Sequence, residues 1–422
     1  MNLFTVIAIV LVLAAAAAYV NERFLKLPSA IGVMLAAASF SLILLLLDAV
    51  GAVDDTWAIN MITGIDFEAV VFRGLLCFLL FAATMQTDSD LLSRSRWPIL
   101  YLSTVGVLLS ALICGTLLWI IINAMGVQLS WIAAMVFGAL IAPTDPVAIT
   151  SIMRRSVTRP EIKSPIIGES MFNDAASIVL FYLVANLAVA DTTFTATDVV
   201  FGFLWQLVGG VALGLMLGWL GQYLLATAET HSVSVLITIG LVFGGSELSE
   251  AIHVSGPTAM VVAGLIIAAR GGLSSGDREH PMVNFWSVID VGLNAVLFVL
   301  IGLELLIVVF KWPYFLGGII AIPIVVAARY VSLFLPWLSL KRWVWIPHSS
   351  LLLMTWAGLR GGVSIALALT ISEKADFREG FIVMTFVVVI FSLFVQGFTV
   401  PTIASHDKNQ ISRYQRRMGW EE

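Results

Sequence analysis

Apolar positions in this chain come in long runs rather than in alternation. Stretches near twenty residues follow one another from end to end, each long enough to cross roughly 30 Å of hydrocarbon as a helix. Short polar connections separate them. The pattern predicts thirteen spans, over 3–20, 28–48, 66–86, 97–125, 130–153, 164–190, 199–226, 232–250, 254–269, 283–309, 313–338, 348–371 and 379–402. Ten-residue alternating segments, which would mark a transmembrane β-barrel, are not evident. The expected class is therefore an all-α polytopic membrane protein. The opening run MNLFTVIAIVLVLAAAAAYV has no basic stretch ahead of it, so it reads as a retained first helix rather than a cleaved signal.

Composition strengthens this reading. Of 422 residues, 60% are hydrophobic and 12% charged, where a soluble domain carries about a quarter charged. The net charge of −5 says less than where the charges stand. With the N-terminus outside and the C-terminus cytoplasmic, sixteen of the 22 basic residues fall in inner connections and the inner tail. The outer side receives Arg73, Lys311, Lys374 and Arg378. That bias sets the orientation and favours an odd number of spans. Cys77 and Cys114 both lie inside apolar runs and read as buried filler, not as a disulfide or a metal cluster. No cofactor and no nucleic acid is expected.

The odd count hides a symmetry. Spans 1–6 (residues 1–190) begin outside, spans 8–13 (232–403) begin inside, and the span at 199–226 connects them. Two six-helix units of opposite orientation are the mark of inverted-repeat secondary transporters. Residues 1–403 then form one transporter unit. The remaining 404–422 is a short basic tail, whose KNQISRYQRRMGW suits the anionic inner leaflet.

Interruptions fall at matching places. Span 5 contains GALIAPTDPVAIT, in which Pro143 and Pro146 flank Thr144 and Asp145. Proline removes a donor and clashes with the preceding turn, so this helix should open. Span 12 contains WAGLRGGVSIALAL, with Gly358, Gly361 and Gly362 around Arg360; glycine lowers the cost of unwinding. Each is the fifth span of its repeat. Kinks alone are usually packing features of membrane helices. A charge inside each break, costing about 2.5–3.5 kcal/mol on insertion scales, favours a transport site instead.

Span 6 carries GESMFNDAASIVLF. Ser170 and Asp174 stand four apart on one face, as do Glu169 and Asn173 one step around. Ser170 and Asp174 offer hard oxygen ligands of the kind suited to small alkali cations. Asp145 and the freed carbonyls of span 5 could complete such a shell. Glu169 reads as a structural charge in need of a basic partner, and Arg329 in span 11 and Arg360 are the two intramembrane candidates. Two guanidiniums do not neutralise Asp145, Glu169 and Asp174 together. One carboxylate is left over, to hold either a proton or a cation.

PTDPVA followed by GESMFNDAASIVLF, with the two aspartates 29 positions apart, resembles the NhaP-type sodium/proton antiporters, relatives of the animal sodium/proton exchangers. SELSEAIHVSGPTAMVVAGLIIA, FWSVIDVGLNAVLFVLIGLEL, the arginine of AARYVS and GLRGGVSIALAL extend the resemblance along nearly the whole chain. It implies a thirteen-helix homodimeric antiporter of the inner membrane, not an enzyme. Its broken spans 5 and 12 cross, and its core and dimerisation domains are interleaved in sequence. Asp174 would carry Na⁺ (or Li⁺) or H⁺, and Asp145, Ser170 and the Thr144 backbone would coordinate the cation. Asn173 and Glu169 would organise the site, with Glu169 paired to Arg329 and Arg360 compensating the crossing. Relatives often carry an acidic residue after the LLF of span 3; here that place is Ala82, with Thr84 nearby, so water or a hydroxyl would have to substitute. With Asn173 beside Asp174 in place of a second aspartate, exchange is expected to be electroneutral, one for one, by elevator-like alternating access. A K⁺/H⁺ antiporter is the nearest alternative. A cation channel lacks its repeated filter here, and an aspartyl protease built on Asp145 and Asp174 leaves both arginines unexplained.

Overall fold

A computed structural model describes residues 3–51, 56, 59, 69–86, 96–146, 148–149, 160–189, 196–270, 281–308, 311–340 and 348–405. All thirteen expected spans carry helix, and no strand occurs among the described residues. The helices are α1 (Leu3–Val20), α2 (Ser29–Ala49), α3 (Ala69–Met85), α4 (Arg96–Ala124), α5 (Trp131–Leu140), α6 (Pro160–Val189) and α7 (Ala196–Thr227). They continue with α8 (His231–Ala251), α9 (Gly256–Arg270), α10 (Pro281–Glu304), α11 (Trp312–Leu340), α12 (His348–Trp356), α13 (Gly362–Leu369) and α14 (Arg378–Ser405). Among the described residues, nine helices are long and apolar enough to cross a membrane. The remaining spans are either shorter, as in α3 and α9, or split, as in α5 and the α12–α13 pair. Most inner connections that carry the basic bias, the end of span 5 and the tail from 406 onward lie outside the described residues.

The chain divides into two compact units, each stitched from two separated stretches. The first comprises Met1–Thr87 and Trp205–Phe310. Its core gathers Phe81 and Trp286, whose rings lie 4.7 Å apart, and the Trp286 indole donates to Thr238 Oγ1 at 3.1 Å. Ala82 is fully buried in this apolar cluster. The Thr84 hydroxyl donates back to the Phe81 carbonyl at 2.7 Å. That bond satisfies the proton of a buried hydroxyl inside its own helix.

The second unit comprises Asp88–Leu204 and Lys311–Glu422. In it α5 packs on α4 and α6, while α11 packs on α4, α12 and α14, and α13 lies against α14. Phe137 of α5 and Phe381 of α14 meet at 5.3 Å between ring centroids. The expected repeats, 1–190 and 232–403, cut across this division, because each repeat supplies helices to both units.

Four π-helical turns have no counterpart in the sequence reading: Asn21–Leu25, Ala69–Leu75, Leu102–Gly106 and Ser392–Gln396. A single inserted residue shifts the hydrogen-bond register without changing hydropathy, so the apolar pattern does not reveal it.

Candidate functional site

The two breaks fall where proline and glycine predicted them. Helix α5 stops at Leu140, residues 142–145 are non-helical, and helix resumes at Pro146. Asp145 caps the resumed helix, its carboxylate accepting the Ala148 N–H at 2.9 Å. Pro146 occupies the first helical position, where its missing donor costs nothing. The Asp-Pro pair was therefore a start signal as well as a break signal. In span 12, α12 ends at Trp356 and α13 begins at Gly362.

The breaks touch each other. The Asp145 N–H donates to the Leu359 carbonyl at 2.7 Å. Arg360 donates through Nη1 to the Ala142 carbonyl and to the Pro143 carbonyl, the latter at 3.0 Å. It thus satisfies acceptors in the non-helical stretch that follows α5, and sets positive charge against the negative end of that half-helix. Asp145, at the opposite kind of helix end, does the converse. The crossing is sorted by charge: acid over a helix start, base over a helix stop. Gly361 makes the approach possible, since a Cβ there would fall 2.6 Å from Asp145 Cγ. Gly361→Ala should therefore push Asp145 off its cap and destabilise the protein by about 1–3 kcal/mol, read as a lower unfolding midpoint in detergent. An unchanged midpoint would show that the crossing tolerates a wider gap.

Helix α6 delivers the other four polar groups, all of them buried. Glu169 Oε1 accepts from Arg329 Nη1 at 2.8 Å and from Asn173 Nδ2 at 3.1 Å, while Oε2 accepts from Arg329 Nη2. The pairing left open by the sequence is thus settled for Arg329: the fork of a guanidinium matches a carboxylate edge to edge. Asn173 Nδ2 also donates to Thr144 Oγ1 at 3.1 Å, and its Oδ1 accepts from Ser177 at 2.9 Å. The Thr144 hydroxyl donates to Ser170 Oγ at 2.9 Å. One continuous network therefore runs from Arg329 through Glu169, Asn173 and Thr144 to Ser170.

Asp174 stands apart from that network. It is 1% exposed, and its Oδ1 has no hydrogen-bond partner among the described residues. Its other contact is the Thr144 backbone amide, and Asp145, Glu169 and Arg360 all lie within electrostatic reach. With Glu169 matched to Arg329, the local charge is two aspartates against Arg360.

Two residues in the neighbourhood escaped the sequence reading. Ser392 Oγ accepts the Arg360 backbone N–H at 2.8 Å and donates to Gln396 Oε1 at 2.6 Å. Both belong to the π-turn of α14. The available signal was a serine and a glutamine four apart in FSLFVQG, in a span otherwise apolar.

Interrupted helices that meet at a charged crossing over buried carboxylates define a secondary transporter of the discontinuous-helix kind. The sodium/hydrogen exchanger, transmembrane, family matches residues 7–406, and the chain belongs to that family, one of transporters rather than enzymes. It is 35% identical over 389 residues to the Na(+)/H(+) antiporter NhaP of Pseudomonas aeruginosa, covering 90% of this chain and 92% of that protein. It is 30% identical over 347 residues to the Na(+)/H(+) antiporter NhaH of Halobacillus aidingensis, covering 80% and 83%. In fold it is similar to the sodium proton antiporter MjNhaP1 from Methanocaldococcus jannaschii at pH 8, with a TM-score of 0.75, 21% identity, and coverage of 96% and 99%.

Proposed function

We propose that the chain exchanges Na⁺ or Li⁺ for H⁺ across the cytoplasmic membrane, one for one, with both ions competing for Asp174. The observation that carries this reading is the Asp174 carboxylate itself, buried and with one oxygen unpartnered. An ionised carboxylate without compensation is costly in such a place, so it holds a proton or a metal cation and only one at a time. Asp145, Ser170 and Thr144 supply further hard oxygens for the cation, the type of ligand alkali ions take. Asn173, Glu169, Arg329 and Arg360 hold those ligands in place. Because Asn173 is neutral, each turnover exchanges one charge for one charge. The names of the relatives support Na⁺ as the cargo.

In the same reading the N-terminus lies outside, the tail lies in the cytoplasm, and the protein works as a homodimer by elevator-like alternating access. One observation favours K⁺ as a second cargo. Ala82 stands where relatives often carry an acidic residue, so no carboxylate comes from that position, and a shell of weaker field suits the larger, more easily dehydrated ion.

The test uses proteoliposomes with an acid interior and a fluorescent pH reporter, to which Na⁺, Li⁺ or K⁺ is added outside. Dissipation of the gradient by Na⁺ or Li⁺, at a rate unaffected by an imposed membrane potential, is expected. A response to K⁺ alone would move the cargo. Silence with every cation across a broad pH range would overturn the exchange reading.

A further inference from the structure

On the side of the crossing lined by α11 and α14, the second unit contains a small cavity. Its lining includes the polar residues Arg329, Arg360, Thr355 and Gln396 beside apolar ones such as Val325 and Val388. It has room for about one water molecule. Both arginines are buried, at 4% and 2% exposure. Each is engaged elsewhere: Arg329 through Nη1 and Nη2 with Glu169, Arg360 through Nη1 with the Ala142 and Pro143 carbonyls in the break of span 5. What both leave over is the same atom. Neither Nε–H has an acceptor among the described residues.

Gly358, which also lines the cavity, brings the backbone close at this point. A Cβ there would sit 2.8 Å from Arg329 Nε and 3.3 Å from the Thr355 carbonyl. Donor and acceptor therefore face the same small space. A buried donor on a charged group is expensive to leave unpaired, and a void of this size with several polar partners is where ordered water is found.

We propose that this cavity is a binding site for one structural water, which accepts from Nε of both Arg329 and Arg360 and donates to the Thr355 carbonyl and the Gln396 side-chain oxygen. A small anion would use the same donors. Water is favoured because the cluster already sets three carboxylates against two guanidiniums, so an anion would add to the surplus, and a halide is larger than the space. The bridge joins the Glu169–Arg329 pair to the Arg360 crossing, and through Gln396 to the π-turn of α14. Both basic groups then move as one hydrogen-bonded body. The proposal rests on the two arginines and the cavity, and holds whichever cation is carried.

The test is a crystal structure of the full chain grown in bromide, at a resolution that shows ordered waters, with anomalous data collected at the bromine edge. A peak without anomalous signal, within hydrogen-bond distance of both Nε atoms, is the expected result. An anomalous peak would assign the site to an anion and overturn the proposal. A cavity without density, or a water that touches only one of the two guanidiniums, would overturn it equally.

Discussion

Acid-loaded vesicles carrying the Asp174→Asn protein are expected to keep their proton gradient when Na⁺ or Li⁺ is added, with exchange reduced to the level of protein-free vesicles. The amide keeps the shape of the side chain and removes its ability to bind and release a proton. It also removes one of three carboxylates set against two guanidiniums. Relieving that surplus removes a buried charge that nothing in the protein neutralises, so the variant should unfold at or above the native midpoint. Loss of exchange with a lowered midpoint would point to a damaged fold instead. Exchange that persists in a well-folded variant would move the competition to another carboxylate, Asp145 first.

The second large effect concerns stability. Arg329→Ala leaves Glu169 fully buried with only the Asn173 amide for company. Breaking a buried pair by deleting one partner costs about 3–5 kcal/mol, because the other charge is stranded. Replacing both partners with apolar residues of similar size, as in Glu169→Leu with Arg329→Met, is far cheaper. The double variant should therefore recover most of the unfolding midpoint lost by the single one. Equal losses would mean that the pair contributes packing rather than charge compensation. Asn173 retains Thr144 as an acceptor in either background, so the rest of the network is not the first thing to fail.

The spans were legible because hydrophobic length is a local property of the chain, and so were the breaks, where Pro143, Pro146 and the glycines around Arg360 act on their own backbone. The partner of Glu169 was not legible from the residues themselves, and only the family resemblance pointed to Arg329. Arg329 and Arg360 are both intramembrane bases, and the choice between them depends on how α11 and the break between α12 and α13 are placed against α6, which spacing does not encode. Asp145 was read as a ligand because it is charged and lies in a break; its role as a helix cap was equally readable from the proline that follows it. Ser392 and Gln396 stayed hidden because the π-turn that aims them leaves no trace in composition.

The stitching of the second unit from separated stretches also dictates a history for each newly made molecule. Synthesis runs from the N-terminus, so Asp145, Glu169 and Asp174 enter the membrane before either arginine exists. Glu169 waits for a partner 160 residues further along, roughly ten to thirty seconds at ordinary ribosomal rates. During that interval the acids of spans 5 and 6 have neither arginine to pair with, and the Glu169–Arg329 pair forms only once the last third of the chain has arrived.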